Sequence, residues 1–553
     1  MRRLAVFVLF VVIAASARAQ FDTATVLGTV TDPSGAVVPR SQVALQNTAT
    51  GVQATATTDE RGEFRFVDIS IGPYELKVTA QGFQPAVAKF ELTVGARQRV
   101  DVPLKLATAQ ATVTATAEAT QLETESSERG QVVNEREIAE LPLNGRQYSQ
   151  LVELTAGVVP TQNQLSEGYS QREGSFSING LRSVFNNYLL DGLDNNMYGT
   201  SNQGFSNQVV QLSPDAVAEF QVVTNNMSAE YGRSGGATVN VVTRYGTNKL
   251  HGRAWEFIRN TDFDATGFFK PDFGGKPALH QNQFGATLGG PLKKDKLFFF
   301  VDYEGFRQSS SYTDTATLPT NAERGLSSTG TPLGYYMIDD LNDPNNSKGY
   351  LPVDNPCPYV GPNGGPNANP NPCNNSTYFG AGLLTAKGGA GGKEYANGQI
   401  PASAVINYAA TIMEGTASNP YLYLPPTTNN NSTNNYIVLH PSTFDRDKGD
   451  AKVDYDVKKN LRLFTRYSQA KWNAYDPGTI QGSAGLGGDG NVIAPSIQIV
   501  GGATWTINPK SLMEARFGFS RMKAGKTPPL AGGPSMQGDG SSNAHLPNPA
   551  EPS

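Results

Sequence analysis

Between residues 24 and 107 apolar side chains recur at every second position, in runs too short for helices. Val26, Gly28 and Val30 share one face, and Val43 with Leu45, Phe64 with Phe66, and Tyr74 with Leu76 and Val78 repeat it. Phe90, Leu92 and Val94 follow, then Val100, Val102, Leu104 and Leu106. Period two is the mark of a strand with one buried face. Turn-forming clusters separate the runs: Asp32-Pro33-Ser34-Gly35, Thr50-Gly51, Asp59-Glu60-Arg61-Gly62 and Gly72-Pro73. Short strands at this spacing predict a small antiparallel β-sandwich over residues 20–107.

Residues 108–130 shift to Ala, Thr, Glu and Ser without a buried face and read as a linker. Within it Ala111-Thr112-Val113-Thr114-Ala115 is a β-prone island. It is suited to adding itself to a partner's sheet edge through main-chain hydrogen bonds, or to being the last strand of the sandwich. Residues 131–245 mix the two periods. Asn134 ahead of Glu135-Arg136-Glu137 predicts a capped short helix ending near Glu140, where Leu141-Pro142 stops it. Ser213-Pro214-Asp215 predicts the start of a second helix. Strands Glu219–Thr224 and Ala237–Arg244 complete an α+β domain, in which SFSINGLRSVFNNYLLDGLDNN (175–196) is a polar, turn-dense stretch of sheet and loop.

From residue 246 the alternation returns with a different partner row. Trp255 and Phe257 stand at the odd positions of Arg253–Arg259, and Phe284, Ala286 and Leu288 oppose Gln283, Gly285 and Thr287. Leu297, Phe299, Val301 and Tyr303 oppose Asp302 and Glu304, and Ile497, Ile499, Ala503 and Trp505 oppose Gln498, Thr504 and Thr506. Met513, Ala515, Phe517 and Phe519 oppose Glu514, Arg516 and Ser520. Apolar rows ending in Tyr or Trp, backed by rows with full charges, predict tilted transmembrane strands with one face to lipid and one to a pore. Asn508-Pro509-Lys510 fits a short periplasmic hairpin. The polar, Asn/Pro/Gly-rich stretch 309–446 is expected to be a long extracellular loop, with a short helix in IPASAVINYAATIM.

Composition narrows the setting. Hydrophobic residues are 38% and charged residues 17% of the 553, with 58 Gly and 35 Pro, which favours short strands and turns over long helices. A net charge of −5 without a basic, aromatic-interleaved run argues against a nucleic-acid partner. Arg2 and Arg3, the apolar run Leu4–Ala15 and Ala17-Arg18-Ala19 form a secretory signal peptide over 1–19, cut before Gln20. That run is shorter than the ~20 residues of a spanning helix. In an exported chain the two cysteines, Cys357 and Cys373, are expected to form a disulfide.

Candidate chemistry adds little. His251, His280, His440 and His545 lack zinc spacing. Gly232-Arg233-Ser234-Gly235-Gly236 has the nucleophile-elbow spacing, but a strand and not a helix follows it. Asp191–Asn196 fails calcium-loop spacing and reads as a solvated loop. No catalytic residue, metal or cofactor is expected, and the chain is not read as an enzyme.

Two resemblances organise these parts. GTVTDPSGAVVPRSQVALQNTATG with TTDERGEFRFVDISIGPYELKVTAQGF resembles the carboxypeptidase regulatory-like domain, a transthyretin-type sandwich, which implies no peptidase activity. Related sandwiches bind starch, so carbohydrate binding is an alternative role, although no exposed tryptophan pair is found. IAELPLNGRQYSQLVELTAGV, FSINGLRSVFNNYLLDGLDNN and SPDAVAEFQVVTNNMSAEYGRSGGATVNVVTR resemble, in order, the plug domain of TonB-dependent outer-membrane receptors, with ATVTATAEA ahead of them as a TonB-box-like segment. The 400–413 stretch resembles Oar-like members.

The resemblance implies a multidomain, mainly β protein: sandwich, α+β plug over 131–245, then the N-terminal part of a transmembrane antiparallel β-barrel over 246–553. It implies an outer-membrane location, with the sandwich and linker in the periplasm. It also implies a TonB-type inner-membrane energy-coupling complex acting at Ala111–Ala115, outer-membrane lipid around the barrel, and an extracellular small solute or glycan. The solute would be of siderophore, cobalamin or glycan type. From plug position alone, Arg182, Asn186, Asn187, Asp191, Asp194 and Asn195 are expected to contact it. An adhesion or surface-organising role is the other reading. Plugged transporters have about 22 strands, whereas about seven are placed by pattern here, so a fragment or a disrupted gene is expected.

Overall fold

The computed structural model describes residues 23–107, 116–118, 125–143, 145–160, 175–198, 207–229, 231–232, 235–265, 276–316, 335–337, 399–401, 436–476, 490–508 and 511–527. The signal peptide, Ala111–Ala115, Cys357 and Cys373 lie outside them.

The period-two runs of the N-terminal region form a sandwich. Ala24–Thr31 pairs antiparallel with Glu63–Ile69 and parallel with Arg97–Arg99 and Val102–Pro103. The facing sheet runs Gln53–Thr57, Gln42–Asn47, Gly72–Thr79, Ala86–Leu92 and Thr116–Glu118. Val26, Val43, Leu45, Phe64, Leu76, Leu92 and Val100 close the core between them. Gly28 is required there, because a Cβ would collide with the Val100 carbonyl. Leu106, expected in the core row, is instead 62% exposed: the row stays in the core as far as Leu104, just past the Val102–Pro103 strand, and leaves it there. Thr116–Glu118 joins the sheet in parallel beside Val87–Lys89, within the stretch read as linker.

The plug sheet has the order Arg129–Val133, Val217–Asn225, Thr238–Thr243, Asn187–Leu190, Leu193–Asp194. Its core gathers Ile138, Tyr148, Phe176, Tyr188, Leu212, Phe220 and Val239, with Phe300 of the barrel wall. The Glu135–Glu140 helix carries a full capping box, Asn134 accepting from the Glu137 N–H at 3.1 Å and Glu137 accepting from the Asn134 N–H at 3.0 Å. The helix expected at Ser213 is a single 3₁₀ turn, Pro214–Ala216. Ser213 caps it as expected, but the β-prone Val217–Asn225 follows at once and takes the backbone into the sheet.

Among the described residues seven long strands follow, each antiparallel to the next: His251–Asn260, Leu279–Lys293, Leu297–Ala316, Tyr436–Lys458, Leu461–Asp476, Ser496–Asn508 and Ser511–Met522. Their outer row leaves Leu288, Val301, Tyr303, Tyr467, Ile499, Trp505, Met513, Phe517 and Phe519 exposed. Their inner row buries Gln283, Asp302, Glu304, Arg446, Lys448, Asp450, Lys452, Arg466 and Gln498. Grease outside and charge inside is the inverse of a soluble sandwich, and it fits a wall between lipid and lumen. No helix among the described residues is long and apolar enough to cross a membrane.

Two expectations about this wall are corrected. Trp255 and Phe257 do not face lipid: Arg253 of the same row reaches Asp215 of the plug, and the Arg146 guanidinium lies over both rings. Two aromatic positions in one strand do not tell a lipid row from a plug-facing row. The stretch 309–446 is not all loop, since strand pairing continues to Ala316 opposite Tyr436. A strand that projects past the lipid needs main-chain partners but no apolar row, so the hydropathy pattern ends before the strand does.

Candidate functional site: the seam between plug and barrel

The Leu189–Asp194 and Leu190–Leu193 pairs leave Asp191-Gly192 as a two-residue hairpin turn. Both residues take positive φ, 47° and 69°, the left-handed geometry for which an Asp-Gly dipeptide is well suited. The turn aims a carboxylate at the barrel wall. Asp191 is fully buried; it accepts the Thr243 N–H at 2.9 Å, and Lys452 and Arg466 stand 3.3 and 2.7 Å away. Arg516 donates to its carbonyl at 2.8 Å. Burial alone would push this carboxyl up; the two wall cations and Thr243 overcome that and hold it at about 2.

A second knot forms around Arg146, which follows Gly145 in a turn where both residues have positive φ. Its guanidinium pairs with Asp215 of the plug and, at 3.3 Å, with Glu304 of the wall. Its face lies 5.1 Å from the Trp255 ring centre and 4.9 Å from that of Phe257. Asp215 also takes Arg253 at 3.0 Å, and Glu304 takes Arg446 at 3.6 Å and the Ser213 hydroxyl at 3.3 Å. The Gly145 carbonyl accepts from Arg446 and Gln283, and Lys448 donates to the Leu212 carbonyl. Six of the seven long strands thus grip the plug through charge and amide contacts at these two knots.

The residues expected to touch solute are mostly spent inside the plug. Asn186 donates to the Phe176 carbonyl at 2.9 Å, Asn187 accepts from Asn196 at 2.8 Å, and Asn195 exchanges two hydrogen bonds with Val210 at 3.0 Å. All three are buried, and Asp191 is a wall contact and not a solvated loop residue. Asparagine-rich sequence is ambiguous here, because an amide that satisfies turn backbone looks the same as one offered to a ligand. Asp194 is partly exposed and accepts from Tyr198 and Asn196, while Arg182 is exposed. Arg146, Lys452 and Arg466 were not singled out from sequence, and Asp215 only as part of a helix start. The signal available was full charge on the inner row of predicted strands, but the pairing depends on which wall position meets which plug turn.

Comparison with known proteins agrees with this architecture. Residues 25–105 match the carboxypeptidase regulatory-like domain, 123–239 the TonB-dependent receptor plug domain, and 242–552 the outer membrane β-barrel domain. The chain is thus a plugged outer-membrane β-barrel protein with a periplasmic sandwich. It belongs to the TonB-dependent receptor family, on its Oar-like side.

The TonB-dependent transporter Oar of Myxococcus xanthus is 30% identical over 316 residues, which are 54% of this chain and 28% of Oar. The ferric enterobactin receptor of Pseudomonas aeruginosa aligns at 14% identity over 72% of this chain and 42% of its own, with a TM-score of 0.37. The siderophore receptor PirA of Acinetobacter baumannii aligns at 16% identity over 70% and 47%, with a TM-score of 0.30. The chain therefore spans less than half the length of each of these relatives.

Proposed function

We propose that the protein takes up a scarce solute across the outer membrane, binding it at the outer face of plug and barrel and admitting it when a TonB-type inner-membrane complex pulls on the segment at Ala111–Ala115. The observation that carries this reading is the seam: the plug is seated by buried ion pairs at Asp191 and Arg146. Such pairs specify one position strongly, yet give little net stability over water, because desolvation offsets most of their attraction. A greasy interface of the same size would fix the plug permanently. An ionic one holds it in register and yields to force while water follows.

The pull enters the plug at its edge. The linker leads into Arg129–Val133, an outer strand of the plug sheet paired only with Val217–Asn225 among the described residues. Its contacts are the first to carry load. Energy has to be brought from the inner membrane because the outer membrane has no nucleotide supply, and the solute passes without chemical conversion.

Deleting residues 110–118 in the protein, in cells, tests the proposal. Uptake of a radiolabelled panel (a ferric siderophore, cobalamin, an oligosaccharide) is expected to fall to background for the transported member, with surface binding retained. Uptake unchanged by the deletion would refute energy coupling through this segment and favour the adhesion reading.

A further inference from the structure

The sandwich is packed against the rest of the chain, and one of its contacts is unusual. Glu219 lies on the Val217–Asn225 plug strand, is buried, and accepts the N–H of Val94 in the sandwich. Around it Ile71 and Val94 of the sandwich form one apolar cluster with Val242, Ala218 and Tyr245 of the plug side. The Tyr245 hydroxyl donates to the Ile71 carbonyl at 2.8 Å. Asn248 donates to the Thr50 carbonyl at 2.7 Å and to Asp295, in the turn between the second and third long wall strands, at 2.6 Å.

That turn, Lys294–Lys296, and the Lys459–Asn460 turn lie at the inner end of the wall, opposite the long connection between Ala316 and Tyr436. The sandwich therefore sits across the inner mouth. A polar cavity of about 40 Å³ lies at the junction, lined by Asp68 and Ile71 of the sandwich, Tyr245, and the wall residues Asp454 and Arg462. Arg462 pairs with one Asp454 oxygen at 3.3 Å, but the other, and one oxygen of Asp68, are buried without a hydrogen-bond partner, so the junction is small, polar and incompletely satisfied.

We infer that the sandwich is a lid on the inner mouth, in series with the plug, with the Glu219 carboxylate as its pH-sensitive catch. A buried carboxylate is normally paired with a cation. The charged group acting on Glu219 is Glu91 of the sandwich, a like charge, while neighbouring Gln221 is neutral and packs on Gly95. Burial pushes the Glu219 carboxyl up to about 8, with the Val94 N–H only partly offsetting it. Undocking returns it to water and to the ordinary range near 4.5.

The sign follows. Docking favours the protonated form, so its contribution is full below about 4.5 and is lost as pH rises through about 8. The ratio of docked to undocked chains falls about tenfold between pH 6 and 7, about tenfold more between pH 7 and 9, and then levels. The role as an exit gate rests on the transport reading above, whereas the docking equilibrium does not.

Spin labels at Glu60→Cys on the sandwich and Lys294→Cys on the wall turn, in the detergent-solubilised full chain with Cys357→Ser and Cys373→Ser, measure docking directly. One short distance is expected at pH 6, with a longer population growing through pH 8. Glu219→Gln keeps the neutral shape and is expected to stay docked at every pH. A single distance from pH 6 to pH 9.5 in the parent, or an unaltered titration in Glu219→Gln, would overturn the inference. Should Glu219→Gln fail to fold, Tyr245→Phe serves: a docked-to-undocked ratio lowered by the same factor at every pH, with the fall of about tenfold between pH 6 and 7 retained, supports the catch, and a ratio that no longer changes with pH refutes it. Docking that titrates as stated while no uptake is found leaves the lid standing and removes the transport reading.

Discussion

Replacing Asp191 by Asn tests the seam at its most buried point. The amide is nearly isosteric and keeps the hairpin, since Asn tolerates positive φ as well as Asp does. What is lost is the charge facing Lys452 and Arg466, both themselves buried. Leaving buried cations without a counter-charge costs about 3–5 kcal/mol. A second route agrees in order of magnitude: holding the carboxyl at about 2 against an ordinary 3.8 corresponds to about 2–3 kcal/mol of seating free energy at neutral pH.

Trp255 supplies the assay, because its ring lies beneath the plug's Arg146 and becomes wet when the plug leaves. Urea titration of the solubilised protein, followed by tryptophan emission, is expected to show plug release at lower urea, equivalent to about 3–5 kcal/mol. Adding Lys452→Met to Asp191→Asn is expected to recover part of the loss, as neighbours sharing a network are non-additive. A shift within about 0.5 kcal/mol of zero would show that the pairing is dispensable, and with it the ionic account of how the plug is held.

Other tests are independent. Acidification is expected to loosen the plug: the Asp191 contribution is full above pH 3.8 and disappears as pH falls towards about 2, so the urea midpoint should drop there in the parent and not in Asp191→Asn. Arg146→Ala leaves Asp215 and Glu304 facing each other's field and removes the cover over Trp255; release is expected to be easier by about 3 kcal/mol or more, with red-shifted emission in the folded state. Phe517→Arg places charge on the outer row, at a side chain that is 75% exposed, and folding into vesicles should weaken by about 2–4 kcal/mol near mid-bilayer, where the same change in detergent is mild. Peptide mapping without reductant is expected to recover the peptides containing Cys357 and Cys373 joined, and separate recovery would contradict the disulfide expectation.

What the sequence made legible was whatever a single strand or cap decides locally. Alternation exposed Val43–Leu45 and Tyr74–Val78, and it placed Asp302 and Glu304 opposite Val301 and Tyr303, as the structure has them. The Asn134 cap was equally local. Illegible were the features set by two distant segments meeting. Whether Trp255 faces lipid or plug is decided by Arg146, more than a hundred positions away. Asp191 reads as a loop acid until the wall brings Lys452 and Arg466 to it. The buried asparagines were ambiguous for a related reason: a side-chain amide serves a turn or a ligand with the same atoms.

The three interfaces of this chain differ in a way that follows from what each has to do. Inside the sandwich and inside the plug, apolar side chains close cores that need not open. Between plug and wall the contacts are charges on rigid strands, which lose their partners abruptly over a few ångströms and regain them only in one register. Between sandwich and plug a small apolar cluster is joined to a lone buried carboxylate and a polar cavity, the weakest of the three by composition. If strength ranks in that order, a rising pull releases the sandwich first and the plug second, whereas a rising pH releases the sandwich alone, the Asp191 pairing being full above pH 3.8. The order is what an inner lid in series with a plug requires, since an exit that opened after the plug had moved would trap the solute between them.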